Sequence, residues 1–154
     1  MMGRRKLFLI LPIVVLIILQ FFQPEKNQGS IARENDLLQV ASVPDSLAAI
    51  LINSCYDCHS NHTEYPWYSN ISPVSWYLHK HLIEGKEDLN LSEFGSLSNA
   101  EKIGALSDIL DVLEAGTMPL PSYQFIHKDA RMTQREIDAL MDWADQESLT
   151  LMKR

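Results

Sequence analysis

The chain opens with a run that has no polar side. After Arg4-Arg5-Lys6, the sixteen residues from Leu7 to Phe22 carry no charge and one amide, Gln20. Nothing marks a solvent face across four turns, so a helix buried on one side fits poorly. A basic flank ahead of an apolar run is the layout of an export signal. At the helical rise the run spans about 24 Å, at the lower limit for a hydrocarbon core of about 30 Å. It ends Leu19-Gln20-Phe21-Phe22-Gln23-Pro24, with neither the small residues of a cleavage site nor a cysteine to take a lipid. Residues 1–22 are therefore expected to be an uncleaved signal anchor, a transmembrane helix. A single pass through the inner (cytoplasmic) membrane would leave the basic flank in the cytoplasm and the C-terminal domain outside, in the periplasm.

Residues 23–43 are polar and mixed, with weak periodicity around Leu37, Leu38 and Val40, and read as a tether. If flexible, its root-mean-square reach would be about 25 Å. Four helices follow, placed by their caps. Pro44 with Asp45 beside it opens an apolar helix that runs into the cysteines. Ser72-Pro73 opens a second, which Gly85 can close. Ser98 and Glu101 form a capping box ahead of a core stripe at Ile103, Leu106, Leu110 and Leu113; Thr133 and Glu136 repeat the box before Ile137, Leu140, Met141 and Ala144. No alternating strand run or hairpin signal competes. The fold class predicted for residues 44–150 is all-α, with a modest core that a large apolar cofactor would help to fill.

Composition narrows the function. At 154 residues, 46% hydrophobic and 21% charged, the chain allows one ordinary folded domain and excludes wholesale disorder. Beyond Lys6 it carries ten Lys and Arg against twenty Asp and Glu, a balance of −10 that repels nucleic acid. Two cysteines, Cys55 and Cys58, are too few for a disulfide framework and must be explained together.

They stand in Cys55-Tyr56-Asp57-Cys58-His59. C-x-x-C-H is the attachment sequence of c-type haem. Two thiols one helical turn apart can each form a thioether to a haem vinyl group, and the next residue offers an imidazole to the iron. Three other readings compete: a thioredoxin-like redox pair, which lacks its βαβ context; zinc held by Cys55, Cys58, His59 and His62, at spacings shorter than known sites use; and a structural disulfide or chance pair.

Met118, between Gly116 and Pro121, lies in a Pro-rich loop just past a helix end. Prolines on both sides of Leu120 stiffen the loop and keep either flanking helix from absorbing it. A methionine thioether is a soft iron ligand, and the His/Met pair of cytochromes c raises the reduction potential. Core filling is the commoner fate of methionine. The competing sixth ligands are His127, then His81, then His79 and His62. On a helical wheel His81 falls with Val74 and Leu78, while Trp76 and Ile83 form a second apolar side.

These residues, with Ser60-Asn61, Tyr65-Pro66-Trp67-Tyr68, Pro73-Val74-Ser75-Trp76, Asn90 to Phe94, Met118-Pro119-Leu120 with Tyr123 and His127, and Leu140-Met141-Asp142-Trp143, resemble the exported bacterial haem-binding domain family of small monohaem c-type proteins over roughly residues 44–147. The resemblance implies a cytochrome c-like helical fold around one haem c, bound through Cys55, Cys58 and His59, with Met118 as distal ligand. The aromatic run Tyr65, Trp67, Tyr68, Trp76 and Tyr77 then reads as pocket wall or as ordinary core, with a hydroxyl or indole N–H available for a propionate. The expected role is one-electron transfer, with both axial positions filled and no catalytic residue. The rivals are a peroxidase-like enzyme or a redox or gas sensor with a displaceable distal ligand. The acidic surface predicts a redox partner with a basic docking face.

Overall fold

The structure, a computed structural model, describes residues 4–30 and 33–153. Its elements are helices α1 (Arg4–Leu19), α2 (Leu37–Val40), α3 (Asp45–Leu51), α4 (Asp57–His59), α5 (Val74–Asp88), α6 (Asn99–Glu114), α7 (Pro121–Ile126) and α8 (Gln134–Leu151), with a π turn at Ile52–Tyr56 and short 3-10 turns between them. Among the described residues the one β feature is an isolated bridge between Gln28 and His62.

The N-terminal expectation is overturned. No helix among the described residues is long and apolar enough to cross a membrane, so neither a transmembrane anchor nor a single pass through the inner membrane stands. The physical reason is where α1 stops. It has 16 residues and ends at Leu19, because Gln20 turns its amide back to the Leu16 carbonyl and out to the Ser72 carbonyl, and its Oε1 accepts from the Ser72 N–H. Phe21 and Phe22, expected inside the apolar helix, lie past its end.

The expected tether is also laid against the domain. Gln23 donates to Ser72 Oγ at 2.9 Å, Asn27 Nδ2 to the Ser60 carbonyl and Thr63 Oγ1, each at 2.9 Å, and the Gly29 N–H to the Asn61 carbonyl at 2.8 Å. Leu37 is fully buried, and the Ser42 carbonyl accepts from the Trp143 indole. The folded unit therefore starts well before residue 44.

Both capping boxes form: Ser98 with Glu101 opens α6, and Thr133 with Glu136 opens α8. In each, one carboxylate satisfies the cap backbone N–H while the cap hydroxyl accepts from the third residue. The same bonds hold the Glu101 and Glu136 carboxyls below their ordinary range. α6 packs along α8, and their Leu106, Ile109, Leu113, Leu140, Trp143 and Leu151 meet Leu37, Leu47, Leu51, Leu91 and Phe94 in one core. Leu106 has no exposed surface. Leu106→Ala is expected to cost about 2–5 kcal/mol, the transfer and cavity terms together, read from the urea midpoint of the haem-loaded chain; a loss below about 1 kcal/mol would take Leu106 out of the core.

Gly85 does not close the second helix. α5 runs on to Asp88 with Gly85 buried inside it, and its buried seam is Ser75, Leu82 and Gly85. The two expected apolar sides are partly open: Val74, Trp76 and Ile83 are all exposed. The reason is a close approach. A Cβ on Gly85 would stand 3.1 Å from the Cys58 carbonyl oxygen and 3.5 Å from His59 Cε1, so a side chain here would make α4 and α5 give way by a few tenths of an ångström. Pro121 likewise starts a helix where the sequence predicts a plain loop, since proline fits the first helical position.

Candidate functional site

The apolar helix α3 feeds without a break into the π turn and then α4, so Cys55 and Cys58 sit on one continuous coil with His59 at its end. π turns inside helices are frequent at functional sites. Both thiols are free and half-buried. Burial, then the neighbouring Cys58, pushes the Cys55 thiol up to about 12. Burial, then Asp57, pushes Cys58 up to about 11. Both are protonated at neutral pH, opposite to the lowered thiol of a thioredoxin-like pair. No three His, Cys, Asp or Glu side chains among the described residues gather to hold a metal ion, so the zinc arrangement of Cys55, Cys58, His59 and His62 is not assembled.

His59 is oriented by a residue that its motif does not contain. Its Nδ1 lies 3.0 Å from the Leu89 carbonyl oxygen. A carbonyl only accepts, so Nδ1 carries the hydrogen and Nε2 is left as the ring nitrogen for a ligand. Leu89 is placed for this because it is the extended cap of α5. The following turn is held by Asn61, whose N–H donates to Ser92 Oγ and whose side chain meets Glu93 and Asn90.

The two variable positions of C-x-x-C-H are both anchored. The Tyr56 hydroxyl donates to Asp36 Oδ1 at 2.8 Å, and Asp36 also caps α2. Burial and the Asp36 carboxylate together push the Tyr56 hydroxyl above its ordinary range. Asp57 Oδ1 accepts from the Glu64 N–H at 3.1 Å, and its Oδ2 accepts from the Tyr123 hydroxyl at 2.7 Å. Burial, then the bond to Asp57, raises Tyr123 in the same way.

Met118 is half-buried in the loop between α6 and α7. That loop reaches the motif through α7, whose Tyr123 is the residue bonded to Asp57. His127 caps the end of α7, stacks on Tyr123 with centroids 4.3 Å apart, and holds its Nε2 2.5 Å from the Tyr68 hydroxyl. The remaining histidines go elsewhere. His81 is half-buried and bonds the Tyr77 carbonyl one turn back on its own helix. His79 lines a cleft with Glu25, Lys26 and Lys86, and His62 is exposed.

Tyr68–His127, Tyr77–Ser122 and Tyr123–Asp57 tie the Trp67–Asn70 turn, α5, α7 and α4 to one another. Large apolar side chains on these elements stay open to solvent: Trp67 is 77% exposed, Phe125 74% and Tyr77 55%, with Ile126 and, beside the cysteines, Ile52 also exposed. Two neighbouring thiols, an imidazole and uncovered aromatic surface suit a large apolar ligand. Of the expected propionate donors, the Trp76 indole is already spent on the Phe22 carbonyl, and the Tyr65 hydroxyl accepts from the Asn27 N–H.

Asp36, Gly85, Leu89 and Tyr123 were not signalled as site residues by spacing, because each acts from another element. A family model described as a haem-binding domain matches residues 14–146. No curated protein and no solved structure matches the chain.

Proposed function

The chain belongs to the haem-binding domain family, and on that premise we propose that it is a monohaem c-type cytochrome that carries single electrons. Cys55 and Cys58 would hold the haem by thioethers, and His59 and Met118 would be the donors to its iron. The observation that carries this reading is the bond from His59 Nδ1 to the Leu89 carbonyl. It fixes ring and tautomer before any ligand arrives and makes Nε2 the better donor.

Bound there, haem iron supplies a centre that exchanges one electron between its ferrous and ferric forms. The protein's part would be to hold His59 and Met118 still, so that little rearranges when the charge changes. Gly85 brings α5 against the back of the motif, and Asp57 and Asp36 fix the turn between the cysteines. Met118 is favoured over His127 because the His127 Nε2 is engaged by Tyr68. The exposed carboxylates of Asp108, Asp111, Glu114, Asp138, Asp142 and Asp145 on α6 and its end and on α8 suit a basic redox partner; among the described residues the single ion pair, Lys80–Glu84, neutralises none of them.

Carbon monoxide tests the reading against a sensor or peroxidase-like enzyme. With both axial positions filled, the absorption spectrum of the ferrous protein is expected to be unchanged under carbon monoxide. A prompt shift on adding the gas would show an open or labile sixth position and reject the electron-carrier assignment.

A further inference from the structure

Met118 lies five residues before Tyr123, and the chain between them is stiff. Pro119 and Pro121 restrict it; the Tyr123 N–H donates to the Leu120 carbonyl at 2.9 Å, and the Gln124 side chain donates to the Pro119 carbonyl at 2.5 Å. The Met118 loop and α7 therefore move as one piece. On the other side Asp57 cannot follow, since its Oδ1 holds the Glu64 N–H and its carbonyl holds Thr63 Oγ1 at 2.7 Å.

Between these two stiff pieces stands the 2.7 Å bond from the Tyr123 hydroxyl to Asp57 Oδ2. Its acceptor is a carboxylate in a part-buried setting, the stronger class of hydrogen bond. The neighbouring tie from Tyr77 to Ser122 is exposed and 3.5 Å long. Stacking on His127, itself held by Tyr68, keeps the Tyr123 ring aimed at the carboxylate.

We infer that Tyr123 is a positioning residue for the distal ligand: its bond to Asp57 straps the Met118 loop onto the C-x-x-C-H turn and sets how readily Met118 yields to an incoming ligand. The inference rests on the reading of Met118 as the distal ligand. An exogenous ligand can take the sixth position only when the loop swings off, and the strap opposes that swing. Second-variable-position Asp57 thereby links the attachment motif to the loop 61 residues further on.

The test is an imidazole titration of the ferric, haem-loaded full chain, followed by the loss of the sulfur-to-iron band. Tyr123→Phe is expected to retain haem and band but to bind imidazole about tenfold tighter, the equivalent of about 1.4 kcal/mol and within the range of a hydrogen bond to a charged group. Asp57→Ala, which leaves the Tyr123 hydroxyl no acceptor there, should act in the same direction. Since both remove one bond, the double variant should bind no tighter than the stronger single variant. Unchanged affinity in Tyr123→Phe, or additive effects in the double variant, overturns the strap. If Tyr123→Phe does not fold, unchanged affinity in Asp57→Ala does so. Failure of the Met118 reading looks different: the unsubstituted ferric protein would then lack the sulfur-to-iron band, Met118→Ala would bind imidazole no better than it, and the strap would fall with that reading.

Discussion

Replacing Cys55 and Cys58 together by alanine is expected to take covalent haem from full retention to none. The full chain, made in cells able to mature c-type cytochromes, should keep haem through acid-acetone extraction and denaturing electrophoresis, and the double variant should lose it in both. The expectation follows from two thiols one turn apart on a continuous π-to-α coil, both free. Burial holds the pair protonated to about 11 and above, so they are stored as thiols and not as reactive thiolates. His59→Ala should leave the thioethers intact while changing the spectrum, which separates attachment from ligation. Haem that washes out of the unsubstituted protein would sink the c-type assignment while leaving haem binding itself in place.

Met118→Ala is expected to leave haem covalently attached, to remove the weak long-wavelength sulfur-to-iron band of the ferric protein, and to lower the reduction potential. A thioether is soft and favours ferrous iron. The fall should be on the order of 0.1–0.2 V, part of the roughly 0.8 V that axial ligands command. Spectroelectrochemical titration reads both changes at once. If Met118→Ala leaves spectrum and potential as they were and His127→Ala alters them, the centre is bis-histidine. In that event the Tyr68 hydroxyl must release His127 Nε2, so Tyr68→Phe should leave the spectrum as it is while removing a competitor for that nitrogen.

Local chemistry was legible in the chain. The capping boxes at Ser98 and Thr133 formed because their partners lie three residues away and need nothing else. The Cys55–His59 cluster stands out because its thiols and imidazole lie within one turn of each other, and the core stripe of α6 because burial of one helix face imposes its period. What spacing could not show is where a segment goes once the rest has folded. The apolar run after Lys6 has the composition of an anchor, yet its helix ends at Leu19 because Gln20 and Gln23 are claimed by Asn70 and Ser72, about fifty residues on. The polar stretch behind it looked free because its partners, Ser60, Asn61 and Thr63, belong to the turn after the motif.

Gly85 shows the limit most sharply. In sequence a glycine late in a helix reads as a stop, and a stop is a local property. In the structure its missing Cβ is space for the Cys58 carbonyl and the His59 ring, a steric demand set by another helix. Thiols, imidazole and a candidate thioether, and the starts of α3, α5, α6 and α8, were legible without the fold, since covalent spacing and first-turn hydrogen bonds are short-range. That the Leu89 carbonyl places the hydrogen on His59 Nδ1, and that Asp57 meets Tyr123, follows from packing alone. Those contacts join residues 30 and 66 positions apart, and no local pattern encodes a pairing that exists only once α5 and α7 have packed.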